Sequence, residues 1–136
     1  MQPASGMSRL LVEDVRAWQL AHAFRLEVCR LLKTSLVASA DMRFSVGLFR
    51  TARSVESSVA DAFRHGADDR SARCLEDAGH ALAAALVAIE DGIDRGYFSR
   101  QRSEPVLDAG HQAARTIRSL HLYLERNANR RRRDAI

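Results

Sequence analysis

The sequence predicts an all-α fold, an antiparallel up-down-up-down four-helix bundle. Four long stretches repeat apolar residues every three or four positions, which is the spacing of one helical face. No stretch alternates apolar and polar residues as a half-buried strand does. Short turn-forming segments separate the four stretches, so consecutive helices must run antiparallel. At 136 residues the chain is one domain that can bury a core without disulfides.

The first predicted helix runs from about Glu13 to Thr34. Its predicted inner face consists of Val15, Trp18, His22, Leu26, Cys29 and Leu32. The second helix runs from about Asp41, a suitable N-cap, to His65, and Gly66 follows as a C-cap. Its predicted inner face consists of Phe44, Leu48, Ala52, Val55, Val59 and Phe63.

The third predicted helix runs from about Arg70 to Arg95. Asp68 or Asp69 can cap its start, and Gly96 ends it. Its apolar stripe is the most regular of the four and consists of Leu75, Ala78, Leu82, Ala85, Ile89 and Ile93.

The fourth predicted helix starts at Ser99 or Ser103, which puts Pro105 near its first turn, and ends near residues 127–129. Its predicted inner face consists of Leu107, His111, Ala114, Ile117, His121 and Leu124. We therefore divide the chain into a flexible N-terminal segment (1–11), a four-helix bundle domain (12–129) and a basic C-terminal tail (130–136).

Some apolar residues lie off these faces. Val46 and Phe49 do so in the second helix, and Leu86 and Val87 do so in the third. A second apolar face on a helix usually marks a contact with a partner, so these four residues are the predicted oligomer interface. The alternative is wide packing with scattered exposed apolar residues.

The polar residues do not indicate an enzyme. Among the five histidines, no two are three or four residues apart, the spacing that places two metal ligands on one helical face. The sequence also lacks a nucleophile elbow and a glycine-rich phosphate loop. We expect no catalytic residue, no metal and no cofactor.

Three features predict a cytoplasmic protein. Cys29 and Cys74 lie beside apolar residues in helical patterns, as reduced core thiols do. Residues 1–8 lack the basic start and apolar stretch of a signal peptide. No apolar run approaches the ~20 residues of a membrane span.

The net charge of +4 is concentrated at the C-terminus. Residues 126–136 carry Asp134 and five arginines, while the rest of the chain is neutral overall. Such a cluster predicts contact with RNA or DNA, and the candidate residues there are Arg126, Arg130, Arg131, Arg132 and Arg133. The alternatives are a disordered solubilising tail, or charge that complements the C-terminal end of the fourth helix.

Two further arginines, Arg50 and Arg53 in the second helix, are weaker nucleic-acid candidates, because a solvated face paired with acids explains them equally well. No aromatic residue is interleaved with the tail arginines, so the sequence does not indicate a base-stacking platform. A single tail offers only four or five phosphate contacts, so binding depends on several tails acting together.

Three segments resemble a known family. Trp18-Gln19-Leu20-Ala21-His22, the stretch 48–63 and Gly96-Tyr97-Phe98 are similar to the motifs of the small bacterial four-helix bundle proteins called 23S ribosomal RNA intervening-sequence proteins. The resemblance spans about residues 15–125. Glu56 stands where the family has proline, and Ser58 and Ala62 replace its asparagine and glycine.

The family is also similar to the accessory variability protein of diversity-generating retroelements, a basic pentameric ring that works with a reverse transcriptase and nucleic acid. The resemblance therefore implies a ring-shaped homo-oligomer, a pentamer. We expect a non-enzymatic oligomeric bundle that binds RNA or DNA through clustered arginines. The alternative is a protein-interaction scaffold that does not bind nucleic acid.

Overall fold

A computed structural model of the chain describes residues 5–64 and 69–135, with side chains from residue 13 onward. Its helices are α1 (Ser5–Lys33), α2 (Leu36–Ala40), α3 (Met42–Ala62), α4 (Asp69–Asp94) and α5 (Arg100–Asp134). The described part of the chain contains no strand. The predicted all-α class is confirmed.

The four long helices enclose one core. α1 and α4 each pack against both α3 and α5, while the single-turn helix α2 packs against α1 and α3. The largest fully buried side chains come from all four long helices, namely Phe24, Leu75, Leu82, Ile89, Ile117, Leu124, Val28, Val55, Val59 and Val106. Burial of this apolar surface is the main favourable contribution to folding.

The predicted inner faces of α3 and α4 are confirmed. The residues of α3 that are fully enclosed or nearly so are Leu48, Ala52, Val55, Val59 and Ala62. Those of α4 include Leu75, Ala78, Leu82, Ala85 and Ile89. Three residues at the ends of the predicted stripes, Phe44, Phe63 and Ile93, are partly buried and pack against this core.

The predicted inner face of α1 is wrong in its larger part, although Leu32 is partly buried and packs against the core. The residues that face the core are Ala17, Ala21, Phe24, Val28 and Leu31. Val15, Trp18 and Leu26 are instead 54%, 38% and 44% exposed. The predicted and the observed inner faces both repeat every three or four residues. The predicted face contains the larger apolar side chains, and the prediction therefore chose it. The true face begins with two alanines, whose small side chains let neighbouring helices approach closely.

The predicted face of α5 is wrong in part. Ile117 and Leu124 are buried as expected, but His111 is exposed and His121 is only partly buried. The residues that face the core are Ser103, Val106, Leu107, Gly110, Ala113, Ile117, Leu120, Leu124 and Ala128.

Gly110 is one reason that this face was missed. A Cβ atom at this position would lie 2.6 Å from Leu86 Cδ2 and 3.0 Å from Phe24 Cε1. The absence of a side chain therefore makes room for two large apolar neighbours from α4 and α1. Apolar periodicity does not register a glycine that is buried for this reason.

The helix boundaries differ most at α5. Ser99 caps its start, because the Arg102 N–H donates to Ser99 Oγ at 3.1 Å, and Pro105 lies in the second turn. The helix continues to Asp134, beyond the predicted end at residues 127–129. Arginine is a good helix former, and positive charge near a helix C-terminus offsets the helix dipole.

The other ends are closer to expectation, except at α1. That helix begins at Ser5 and includes residues 5–11, which the sequence assigned to a flexible segment; residues 7–12 contain no proline or glycine to stop it. Gly96 has a φ of +80°, as expected for a residue that ends a helix. The predicted caps Gly66 and Asp68 lie outside the described residues.

Asp41 caps α3 as predicted and also joins two distant parts of the chain. Its carboxylate accepts the Phe44 N–H at 3.1 Å and the Tyr97 hydroxyl at 2.7 Å. The Phe44 ring meets the Tyr97 ring edge to face, with centroids 5.1 Å apart. The Gly96-Tyr97-Phe98 segment thus fixes the α4–α5 turn to the start of α3.

Candidate nucleic-acid interface

The predicted tail arginines are part of α5 and do not form a separate tail. Ala128 is the last buried residue of α5, and residues 129–135 are all exposed. Arg126 is exposed one turn earlier. The five arginines therefore occupy the last turns of a continuous helix, which fixes the relative positions of their Cα atoms.

Four arginines of α5 share its outer face, and we call them the arginine stripe: Arg115, Arg126, Arg130 and Arg133. Helical geometry places them opposite the buried residues Ile117 and Leu124. The stripe extends over about 27 Å at 1.5 Å per residue. Arg126, Arg130 and Arg133 also line one shallow cleft with Asn129 and Asp134.

Some exposed arginines elsewhere in the described residues pair with acids, and others, such as Arg43, Arg50 and Arg53, do not. Arg30 lies 2.6 Å from Glu27, Arg64 lies 3.2 Å from Asp61, and Arg100 lies 2.8 Å from Glu90. In the described part of the chain, no carboxylate lies within 4.0 Å of a stripe guanidinium. The stripe is therefore a line of positive charge available to an external anion.

The two remaining tail arginines have other surroundings. Arg132 turns towards α4, where its guanidinium lies 4.0 Å from Asp69, and Arg131 is exposed beside it. Arg132 and Asp69 line a cleft of about 480 Å³ between α4 and α5, whose other charged residues include Arg73, Glu76 and Glu125. Its mixed charge makes it a poor site for a polyanion.

Arg50 and Arg53 are exposed as predicted, but they lie in the middle of α3. α3 packs against α1 and α4, and it makes no extensive contact with α5. The structure therefore does not bring these two arginines together with the arginine stripe.

The predicted oligomer interface is only partly accessible. Val87 is 69% exposed, but Val46, Phe49 and Leu86 are partly buried, and Leu86 fills the space beside Gly110. Exposed apolar side chains also lie around α2, where Leu36, Val37 and Met42 are 88%, 61% and 65% exposed, and on α1. We define the α1 seam as Val15, Trp18, His22 and Leu26. Sequence reasoning missed the seam because it placed these residues in the core.

A polar cluster beside the seam connects α1 to α3. The Arg25 Nε–H donates to Glu56 at 2.6 Å, and His22 Nδ1 lies 3.3 Å from the same carboxylate oxygen. This hydrogen bond raises the pKa of Arg25 further. The Trp18 and His22 rings stack with centroids 4.9 Å apart. Glu56, which stands where the resembled family has proline, thus has a structural role here.

An apolar hollow lies at the other side of Trp18, between α1 and α3. Asp14 borders it together with Val15, Trp18, Val59, Ala60 and Phe63. Asp14 Oδ1 is buried and has no hydrogen-bond partner among the described residues. Burial raises the pKa of this carboxyl, although backbone hydrogen bonds oppose the effect.

Tyr123 is a candidate functional residue that sequence reasoning missed. Its side chain is 37% exposed, and it lies one turn before Arg126 on α5. The register of the α5 core would have revealed it, because Leu120 and Leu124 point inward on either side. Tyr123 is the exposed aromatic residue that was not expected beside the tail arginines.

Other kinds of site find no support in the described residues. Across residues 5–64 and 69–135, no three His, Cys, Asp or Glu side chains come together as metal ligands. In the same part of the chain, no helix has both the length and the apolar content needed to cross a membrane.

No family model, curated protein or solved structure matches this chain. Membership of the intervening-sequence family therefore stays a prediction that depends on the quoted motifs.

Proposed function

We propose that this protein is a non-enzymatic helical protein that binds RNA or DNA through the arginine stripe of α5. The observation that supports this function is the exposure of Arg126, Arg130 and Arg133 on one helical face without a carboxylate partner in the described residues. Guanidinium groups bind phosphates through two parallel hydrogen bonds, and counterion release adds to the affinity.

A single copy of the protein is expected to bind nucleic acid only weakly. Four or five phosphate contacts give a dissociation constant of roughly 10⁻⁴ M or weaker at physiological salt. We propose that the four long helices form the expected antiparallel bundle, and that copies assemble into a ring, a pentamer by the family resemblance. Several stripes on one particle would raise the affinity by orders of magnitude through effective concentration. We propose that the protein acts in the cytoplasm, as its sequence features predict, and in a bacterium, as the resemblance implies.

The test is fluorescence anisotropy with labelled RNA and duplex DNA across a salt series. The variant Arg126→Glu with Arg130→Glu reverses two stripe charges. We expect at least about tenfold weaker binding at low salt, and a log–log salt slope that is shallower by about two for each engaged stripe. The melting temperature should fall only slightly, because both side chains are exposed and the reversed charges act only on the helix dipole at the end of α5.

A matched control reverses two exposed arginines at the opposite end of α5 and at the start of α3. Arg43→Glu with Arg102→Glu makes the same change in net charge, and we expect a much smaller loss of affinity. An equal loss in the two variants would mean that overall charge, and not the stripe, determines binding. A wild-type protein that binds neither probe at low salt would exclude the function.

A second function, a protein-interaction scaffold, is supported by the α1 seam. Three of its apolar side chains are more than a third exposed, and they share one side of a single helix. A pull-down tests the scaffold function. It is favoured if the wild type captures a protein partner, the variant Val15→Ser with Leu26→Ser does not, and the variant Arg126→Glu with Arg130→Glu still does.

A further inference from the structure

The last three turns of α5 carry more than positive charge. Tyr123, Arg126 and Arg130 are three and then four residues apart, so their side chains emerge on the same side of the helix. Arg126 and Arg130 are exposed, Tyr123 is 37% exposed, and Tyr123 lies about 10 Å along the helix from Arg130. The strip therefore offers an aromatic ring followed by two guanidinium groups.

This combination suits one class of ligand. Guanidinium groups bind phosphates, while the face of an aromatic ring stacks on a nucleobase. In a duplex the bases are paired and stacked on each other, so their faces are closed to a side chain on a helix surface. Only a single-stranded segment or a loop presents a phosphate and an open base face together.

We propose that the arginine stripe binds single-stranded nucleic acid preferentially, with Tyr123 stacking on a base while Arg126 and Arg130 hold the adjacent phosphates. This inference rests on the proposed nucleic-acid function and specifies its ligand. Because the ring is on the helix surface and not in a pocket, the site accepts any base. It therefore distinguishes single-stranded from double-stranded nucleic acid but does not select a sequence.

The site has the length that this ligand requires. From Arg115 to Arg133 the stripe covers about 27 Å, enough for a segment of several nucleotides. The Tyr123 hydroxyl makes no hydrogen bond within the described residues, so the exposed part of the side chain gives up no polar contact when a base stacks on it. The rest of the side chain is covered by the protein. Leu122, its exposed neighbour, supplies apolar surface but no aromatic face.

The test compares three labelled 20-nucleotide probes by anisotropy: an unstructured single strand, its duplex, and a single strand whose central nucleotides are abasic. With Tyr123→Ala we expect binding of the single strand to weaken about five- to tenfold. Binding of the duplex and of the abasic strand should not change, and the salt slope should remain the same, because the phosphate contacts are retained.

Two control variants isolate the aromatic ring. Tyr123→Phe keeps the ring, and Leu122→Ala removes a similar amount of exposed apolar surface one position away. Both should bind the single strand as the wild type does.

Single-strand affinity that is unchanged in Tyr123→Ala would overturn the inference, as would an equal loss on all three probes. In either case duplex binding by the wild type would leave the proposed function standing. A wild type that binds none of the three probes would overturn both.

Discussion

At the scale of single residues, Asp41 shows how one side chain can hold together two segments that are far apart in the sequence. It accepts a backbone N–H from Phe44 at the start of α3 and the hydroxyl of Tyr97, 56 residues further on. The hydrogen bond from Tyr97 is the main reason that the pKa of Asp41 is lowered, and the bond from the Phe44 backbone adds to it. The sequence gives the cap, but nothing in it pairs the cap with Tyr97.

This geometry predicts how stability depends on pH. The ordinary pKa of the carboxyl is 3.8, and its folded value is lower. Its contribution to the free energy of unfolding is therefore complete above the ordinary value and is lost as the pH falls through the folded value. We expect Asp41→Asn, which keeps an acceptor oxygen, to show a smaller decrease in melting temperature below about pH 5 than the wild type.

Thermal melts of both proteins across this pH range provide the measurement. Glu90 also has a lowered pKa, caused mainly by its hydrogen bond from Arg100, so the variant should retain part of the acid sensitivity. Parallel curves for the two proteins would argue against a special role for Asp41.

At the scale of helices, the sequence predicts two registers well and two poorly, for one physical reason. The inner faces of α3 and α4 contain large apolar side chains such as Leu48 and Leu82, which apolar periodicity detects. The inner faces of α1 and α5 depend on Ala17, Ala21 and Gly110, where small size allows close packing. In α1 the alanines compete with a repeat of larger apolar residues, Val15, Trp18 and Leu26, and in α5 the buried glycine interrupts the apolar pattern.

The candidate nucleic-acid interface, too, could be predicted only in part from the sequence. The arginines are visible in the sequence, but two facts about them are not: that α5 continues through them, and that the stripe lacks carboxylate partners in the described residues. The first depends on the whole helix, and the second on where distant acids such as Asp69 lie.

Two glycines provide a test of close packing at this scale. Gly110→Ala must displace Leu86 or Phe24, and we expect it to lower the free energy of unfolding by about 1–3 kcal/mol. Gly79→Ala in α4 meets nothing within 4 Å, so it should raise stability by about 0.5–1 kcal/mol. Chemical denaturation of both variants measures the two effects, and a neutral Gly110→Ala would show that α4 and α5 can move apart without cost.

At the scale of the whole molecule, the surface is divided by chemical character. The α1 seam is apolar, the outer face of α5 is basic, and Arg25 and Glu56 pair between α1 and α3 beside the seam. In the ring proposed above, each copy would contact its neighbours through two different surfaces, and we propose the seam as one of them. Charge and apolar surface then serve two different contacts.

Val15→Ser with Leu26→Ser tests the association. Both side chains are about half exposed, so we expect an unchanged melting temperature for the isolated fold and a lower particle mass by light scattering. Val87→Ser makes a similar change on α4, where the sequence placed part of the interface, and it should have the smaller effect. A mass that stays the same in the double variant would remove the seam from the assembly.

The stack of Trp18 on His22 has a practical consequence for such measurements. Trp18 is the chain's single tryptophan, and its indole lies at the seam with one face against an imidazole. Its fluorescence emission therefore reports on the seam alone. A partner that covers the seam will change the wavelength maximum and the intensity of this emission. The protein carries its own optical probe for assembly, and a dilution series in a fluorimeter can follow that process without any label.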